Sequence, residues 1–176
     1  MNTFFAGCHH FDHKNIIEYD NRPFANIDEM NEKLIANHNS RVSNRDTIIF
    51  LGDVCLSSRI EYFIKRLNGD KHLILGNHDK LNGFQKSMFS SVNSFKEVKI
   101  NGQRITLCHY PLRSWNCRMY GSWSLHSHVH GKMNPYPNSL DVGVMTNNYF
   151  PYSFEDVLKK IEYNAKHYGF DKKELL

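Results

Sequence analysis

Leu73-Ile74-Leu75-Gly76-Asn77-His78-Asp79 is a short apolar run that stops abruptly at a carboxamide, an imidazole and a carboxylate. The run reads as a buried strand, and in α/β proteins the loop at the C-terminal end of such a strand is where ligands sit. Taken alone, the polar triplet is also what an ordinary turn carries. Two other segments repeat the construction: Thr3-Phe4-Phe5-Ala6-Gly7 runs into Cys8-His9-His10-Phe11-Asp12-His13, and Thr47-Ile48-Ile49-Phe50-Leu51 stops at Gly52-Asp53. Between them, Asn26 followed by Glu29 marks a helix start, with Ile27, Met30, Leu34 and Ile35 on one face of a helix ending near Val42. Ile60, Phe63, Ile64 and Leu67 give a second helix from near Ser58 to Leu67. Strand, helix, strand, helix, strand predicts parallel pairing, which gathers the three polar clusters at one sheet edge.

Beyond this unit the pattern changes. Residues from Lys80 to Ser91 and from Leu112 to Tyr120 read as irregular. Phe95 to Ile100 and Arg104 to Cys108 flank Asn101-Gly102-Gln103, a hairpin signal that turns the sheet pattern antiparallel and ends at His109. Trp123 to His126 reads as a strand feeding His128 and His130, Ser139 to Val144 as the last strand, and Ser153-Phe154-Glu155-Asp156 as a helix start continued by Val157, Leu158 and Ile161. With no repeat, linker or low-complexity stretch, one domain over residues 1–176 is expected.

Composition sets limits on function. Hydrophobic residues at 40% and charged residues at 23% exclude a disordered chain, and a net charge of +4 without charge runs gives only a weak pull toward anions. No stretch approaches the roughly 18 apolar residues of a membrane helix, and Met1-Asn2-Thr3-Phe4-Phe5 has no basic leader pattern. Four dispersed cysteines, Cys8, Cys55, Cys108 and Cys117, suit reduced thiols better than a disulfide framework, so a cytoplasmic location is expected. Eleven histidines, concentrated in Cys8 to His13 and His126 to His130, ask for a specific cause.

Five strand ends carry Cys8/His10, Asp53, Asn77/His78/Asp79, His109 and His128/His130. Imidazole, carboxylate, carboxamide and thiol in that proportion form the donor set of a transition-metal site rather than of Mg²⁺ or Ca²⁺. On an extended segment, alternation puts Cys8 and His10 on one side and His9 on the other.

In this order, Gly52-Asp53, Gly76-Asn77-His78-Asp79, His109 and Ser127-His128-Val129-His130-Gly131 resemble the successive G-D, G-N-H-D/E, H and G-H-x-H blocks of the calcineurin-like metallophosphoesterase family. The resemblance runs from the first strand to about Gly143 and is similar to the compact bacterial and phage members. It implies an α/β fold, a two-sheet mixed β-sandwich flanked by helices, and two divalent transition-metal ions, Zn, Fe or Mn rather than Mg. It further implies that Cys8, His10 and His130 hold one metal, that Asn77, His109 and His128 hold the second, and that Asp53 bridges them. His78 would face the substrate and assist the leaving group, with Asp79 fixing its tautomer.

Two departures stand out. Cys8 occupies the position of the aspartate in the family's D-x-H block, and a thiolate there shifts preference toward Zn²⁺ or Fe²⁺. Ser127 stands for the usual glycine. His13, Arg113 and His126 are further candidates for touching phosphate. The reading expected is therefore a phosphohydrolase acting on a phosphate ester, with a nucleotide-like or nucleic-acid-derived diester ahead of a monoester or phosphoprotein. The competing reading is a scaffold or binding protein with an impaired first metal site.

Overall fold

The computed structural model of the protein describes residues 1–168, so the last eight residues of the expected domain lie outside it. Among the described residues, nine strands form two sheets. The first has the order β4-β3-β2-β1-β9, where β1 is Thr3–Ala6, β2 Thr47–Phe50, β3 Asp70–Ile74, β4 Ser91–Asn93 and β9 Tyr152–Ser153. β1 to β4 are mutually parallel, and β9 pairs antiparallel with β1. The second has the order β5-β6-β7-β8, from Phe95–Ile100, Gln103–Cys108, Trp123–His126 and Ser139–Asp141.

Period-two alternation explains how the layers stack. Phe4, Ala6, Ile48, Phe50 and Leu73 face Met30, Leu34 and Ile35 of α2 (Ile27–Arg41) and Ile60, Phe63 and Ile64 of α3 (Ile60–Arg66). Their neighbours Phe5, Ile49, Leu51 and Ile74 point the other way, into a second core with Ile105, Leu107, Trp123, Leu125 and Leu140 of the second sheet. Val157 and Ile161 of α5 (Phe154–His167) join that second core, and α5 packs against β8, β9 and β1. The architecture is thus the expected pair of mixed sheets with flanking helices. Among the described residues, no helix is long and apolar enough to cross a membrane.

Several expectations need correction. The segment from Lys80 to Ser91 is not wholly irregular: it holds α4 (Gly83–Lys86), started by an Asn82/Gln85 capping box, and opens β4. The antiparallel turn of the sheet is confined to β5 and β6, because β6, β7 and β8 pair in parallel. Asn101 and Gly102 both have positive φ, at 49° and 84°, as a two-residue hairpin turn that matches strand twist requires. The last expected strand stops at Asp141, whose Oδ1 accepts from the amide of Gly143 at 2.8 Å and bends the chain toward Gly7. β9 and the single turn α1 (Ile16–Tyr19) are too short to leave a periodic signal.

Leu73 is fully buried on β3, between β2 and β4 of the first sheet. Leu73→Ala is expected to cost about 2–5 kcal/mol in urea unfolding, whereas Lys99→Ala on the outer hairpin is expected to change stability by less than about 0.5 kcal/mol.

Candidate metal centre

The parallel register brings the ends of β1, β2 and β3 together, and β6 and β7 of the second sheet deliver their loops to the same place. Crowding there is severe. A Cβ on Gly76 would lie 2.6 Å from the Asp53 amide nitrogen, and one on Gly52, whose φ is +89°, would lie 2.6 Å from the backbone of Gly76. Only glycine lets these two loops touch. Of the seven expected metal ligands, five (Cys8, His10, Asp53, His128 and His130) adopt positive φ. Such backbone is unfavourable for non-glycine residues and is found where surrounding structure imposes it, typically at functional sites.

Two imidazoles have tautomers dictated by their surroundings. His109 Nδ1 sits 2.7 Å from the Leu51 carbonyl oxygen, so it carries the proton and donates it, leaving the Nε2 lone pair free. That Nε2 faces Asn77 Oδ1 at 3.0 Å and Asp53 Oδ2 at 3.5 Å. His130 Nδ1 lies 2.6 Å from Asp20 Oδ2, off the ideal hydrogen-bond line, yet a bare lone pair could not sit so close to a carboxylate oxygen. Its Nε2 therefore faces His10 Nε2, 3.2 Å away, and His10 Nε2 is 3.9 Å from Asp53 Oδ2.

Burial, with Arg22 adding to it, pushes His10 down to about 2, and burial also lowers His13, His128 and His130. Those four rings are neutral donors at physiological pH. Burial works against ionisation of Asp53, but the neighbouring His109 imidazole and the hydrogen bond from the His78 amide hold its carboxyl at about 2. For His109, burial is outweighed by Asp53 and the Leu51 carbonyl, which raise it. Burial drives the Cys8 thiol up to about 12, against contacts from Ser127 and the His128 amide. Its Sγ accepts from His128 N at 3.1 Å, so a cation would have to displace the thiol proton.

This donor set fits divalent transition metals. Cys8, His10 and His130 offer ligand atoms that lie within 4.8 Å of one another, and so do Cys8, Asp53 and His109. The inward nitrogens of His109 and His130, set beside His10 and the anionic Asp53 carboxylate, are placed to attract a cation.

The remaining expected residues separate clearly. Asn77, His78 and His128 are exposed at the mouth, with the His128 ring 5.0 Å from that of His109 and the His78 ring 6.0 Å from that of His10. His13 lies on the rim, its ring 5.7 Å from that of His10. Arg113 is exposed, and the contact it makes is through its backbone oxygen with Tyr136. His126 turns away: Leu125 faces the inter-sheet core, so the next side chain emerges on the opposite face, where Nδ1 meets Ser139 Oγ at 3.3 Å beside a cavity of about 450 Å³. His9 is buried against Phe11 and Phe50, with ring centroids 5.4 and 5.3 Å away. Cys8 and His10 do point inward, but through left-handed backbone rather than extended alternation. Ser127, in the usual glycine position, is buried, and its Oγ donates to the Leu51 carbonyl at 2.5 Å.

Asp79 does not hold the His78 ring. Its Oδ2 accepts from the amides of Asp53 and Gly76, both at 2.8 Å, and Oδ1 accepts from that of Val54 at 3.0 Å. Both oxygens are thereby committed to backbone, and the carboxylate ties the β2 loop to the β3 loop. Residues without a sequence signal are Asp20 and Asp141; the second accepts from the Gly131 amide at 2.7 Å and braces the loop that carries His130.

Comparison with known proteins gives the family and the fold. The model of the calcineurin-like phosphoesterase family matches residues 1–158. The uncharacterized protein MJ1445 of Methanocaldococcus jannaschii is 37% identical over 164 residues, 87% of each chain. Among solved structures, protein AQ665 of Aquifex aeolicus, of unknown function, superposes with a TM-score of 0.73 at 24% identity, covering 91% of this chain and 99% of that one. An archaeal phosphodiesterase superposes with a TM-score of 0.53 at 21% identity, covering 81% and 82%. These two likenesses bear on the fold.

Asp79→Ala is expected to lower unfolding stability by roughly 3 kcal/mol, because three amides lose a charged acceptor together. Were Asp79 an orienting group for His78, its loss would instead alter the pH profile of turnover and leave chemical denaturation unchanged.

Proposed function

Since the chain belongs to the calcineurin-like phosphoesterase family of metal-dependent phosphoester hydrolases, we propose that it is a dinuclear enzyme cleaving nucleotide-like or nucleic-acid-derived phosphodiesters. The observation that carries the reading is the pair of imidazoles, His109 and His130, whose Nδ1 atoms are occupied and whose Nε2 lone pairs converge on Asp53 and His10. Cys8, His10 and His130 would hold one ion and Asn77, His109 and His128 the other, with Asp53 placed between the two sets. When bound, two divalent ions acidify water and neutralise charge on phosphate oxygens.

The chain's own groups supply the rest. Asp53, braced through Oδ1 by the His78 amide at 3.0 Å, fixes the separation of the two halves. The exposed His78 imidazole reaches the solvent side of the site, where it donates a proton to the departing oxygen. His13 stands on the rim where a phosphate oxygen or flanking group passes. The Cys8 thiolate favours Zn²⁺ or Fe²⁺, with Mn²⁺ acceptable and Mg²⁺ disfavoured.

Preference for a diester is supported by the open mouth formed by exposed Asn77, His78 and His128, which admits substituents on both sides of phosphorus. Likeness in fold to the archaeal phosphodiesterase supports it too. Retention of Asp53, Asn77, His78, His109 and His128 argues against a scaffold. Four free cysteines support work in a reducing compartment, the cytoplasm.

Hydrolysis of a chromogenic phosphodiester and the matching monoester, with Zn²⁺, Fe²⁺, Mn²⁺ and Mg²⁺ supplied in turn, tests the proposal. Faster turnover of the diester is expected, with His78→Ala lowering kcat by roughly 10²- to 10⁴-fold. Cys8→Asp is expected to stay active and move the metal preference toward Mn²⁺ or Mg²⁺. Faster turnover of the monoester would establish a phosphomonoesterase instead. No turnover with any metal, with His78→Ala indistinguishable from the parent, would support the scaffold reading.

A further inference from the structure

Asp20 and Arg22 follow α1 in a turn that no functional motif covers, yet both side chains are almost wholly enclosed, at 2% and 0% exposure. Asn21 between them has a positive φ of 48°, and the Arg22 amide donates to the Ile17 carbonyl at 2.8 Å, so the turn is tightly fixed. Burying a guanidinium and a carboxylate costs several kcal/mol that an apolar pair would avoid. What they touch explains the expense.

Arg22 donates from Nη1 to the His9 carbonyl at 2.8 Å and from Nη2 to the Cys8 carbonyl at 3.0 Å. These carbonyls belong to the loop in which Cys8 and His10 are held at positive φ, beyond the end of β1. Asp20 Oδ2 stands 3.6 Å from Arg22 Nη2 and 2.6 Å from His130 Nδ1, while its Oδ1 takes the Lys132 ammonium at 2.9 Å. One ion pair thus grips both loops that carry the first set of donors, which lie 120 residues apart in the chain.

We infer that Asp20 and Arg22 are positioning residues that assemble the Cys8/His10/His130 metal site, Asp20 by fixing the tautomer and aim of His130 and Arg22 by holding the Cys8–His10 loop. The inference rests on the reading of those three residues as one metal site. Asp20 keeps the His130 proton on Nδ1, so that Nε2 is presented to the ion, and a carboxylate behind a ligating imidazole raises its basicity. Nothing in this pair touches the Asn77/His109/His128 side. Its loss should therefore be felt at one site only.

The test uses the full chain with Asp20→Ala, Asp20→Asn and Arg22→Lys. In metal-free protein, ¹H–¹⁵N correlation of the imidazoles is expected to give His130 as the Nδ1–H tautomer in the parent, and a mixture or the other tautomer in Asp20→Ala. Zn²⁺ titration with bound-metal analysis is expected to find two ions in the parent. In Asp20→Ala one of them should weaken by roughly 10- to 100-fold while the other is unchanged, with Asp20→Asn intermediate because its carboxamide still accepts a hydrogen bond. Arg22→Lys, which keeps the charge but cannot reach two carbonyls at once, is expected to weaken the same ion. If the parent holds two ions and every variant binds both as tightly with the His130 tautomer unaltered, the inference fails while the proposed function stands. If the parent holds fewer than two, both fail.

Discussion

The Asp79 carboxylate is the constraint on which the centre depends. By accepting three backbone amides, from Asp53, Val54 and Gly76, it fastens the loop after β2 to the loop after β3. Hydrogen bonds to a charged group contribute roughly 1.5–3 kcal/mol each, enough to hold Asp53 in left-handed backbone. Gly52 and Gly76 make the approach sterically feasible. Once Asp53 is fixed, its two oxygens are fixed too, one under the His78 amide and one facing His109 and His10.

Around that carboxylate the fold builds a region rich in lone pairs. His109 and His130 are each held by an acceptor on the far nitrogen, the Leu51 carbonyl and Asp20, so their remaining nitrogens turn inward. Burial keeps His10 and His130 neutral, and Cys8 adds a thiol whose proton a metal would have to displace. The two cores on either face of the first sheet leave little freedom for these loops to relax apart. The site is consequently preorganised for cations, and the chemistry of a metal-dependent phosphoesterase follows from the same arrangement.

Much of this could be read from the residues. Apolar runs and helical periodicity locate β1, β2, β3, α2 and α3, and Asn101-Gly102 locates the hairpin, because each signal is local. The order of strand-end clusters singles out the candidate ligands for the same reason. The task of Asp79 was hidden, since adjacency to His78 says nothing about which way a side chain returns across a turn. Asp20-Asn21-Arg22-Pro23 looks like any polar turn, and only tertiary packing reveals that its charges serve the Cys8 and His130 loops. His126 lies next to the site residues in sequence, but strand alternation beside the inward Leu125 sends it to the opposite face.

The central claim is that this chain holds two transition-metal ions on either side of Asp53, one of them ligated by Cys8. Anomalous diffraction from crystals grown with Zn²⁺ tests it most directly. The account predicts two anomalous peaks about 3.5–4 Å apart, with Cys8 Sγ about 2.3 Å from the ion shared with His10 and His130. A single peak, or two peaks with the Cys8 thiol outside bonding distance of both, would contradict it.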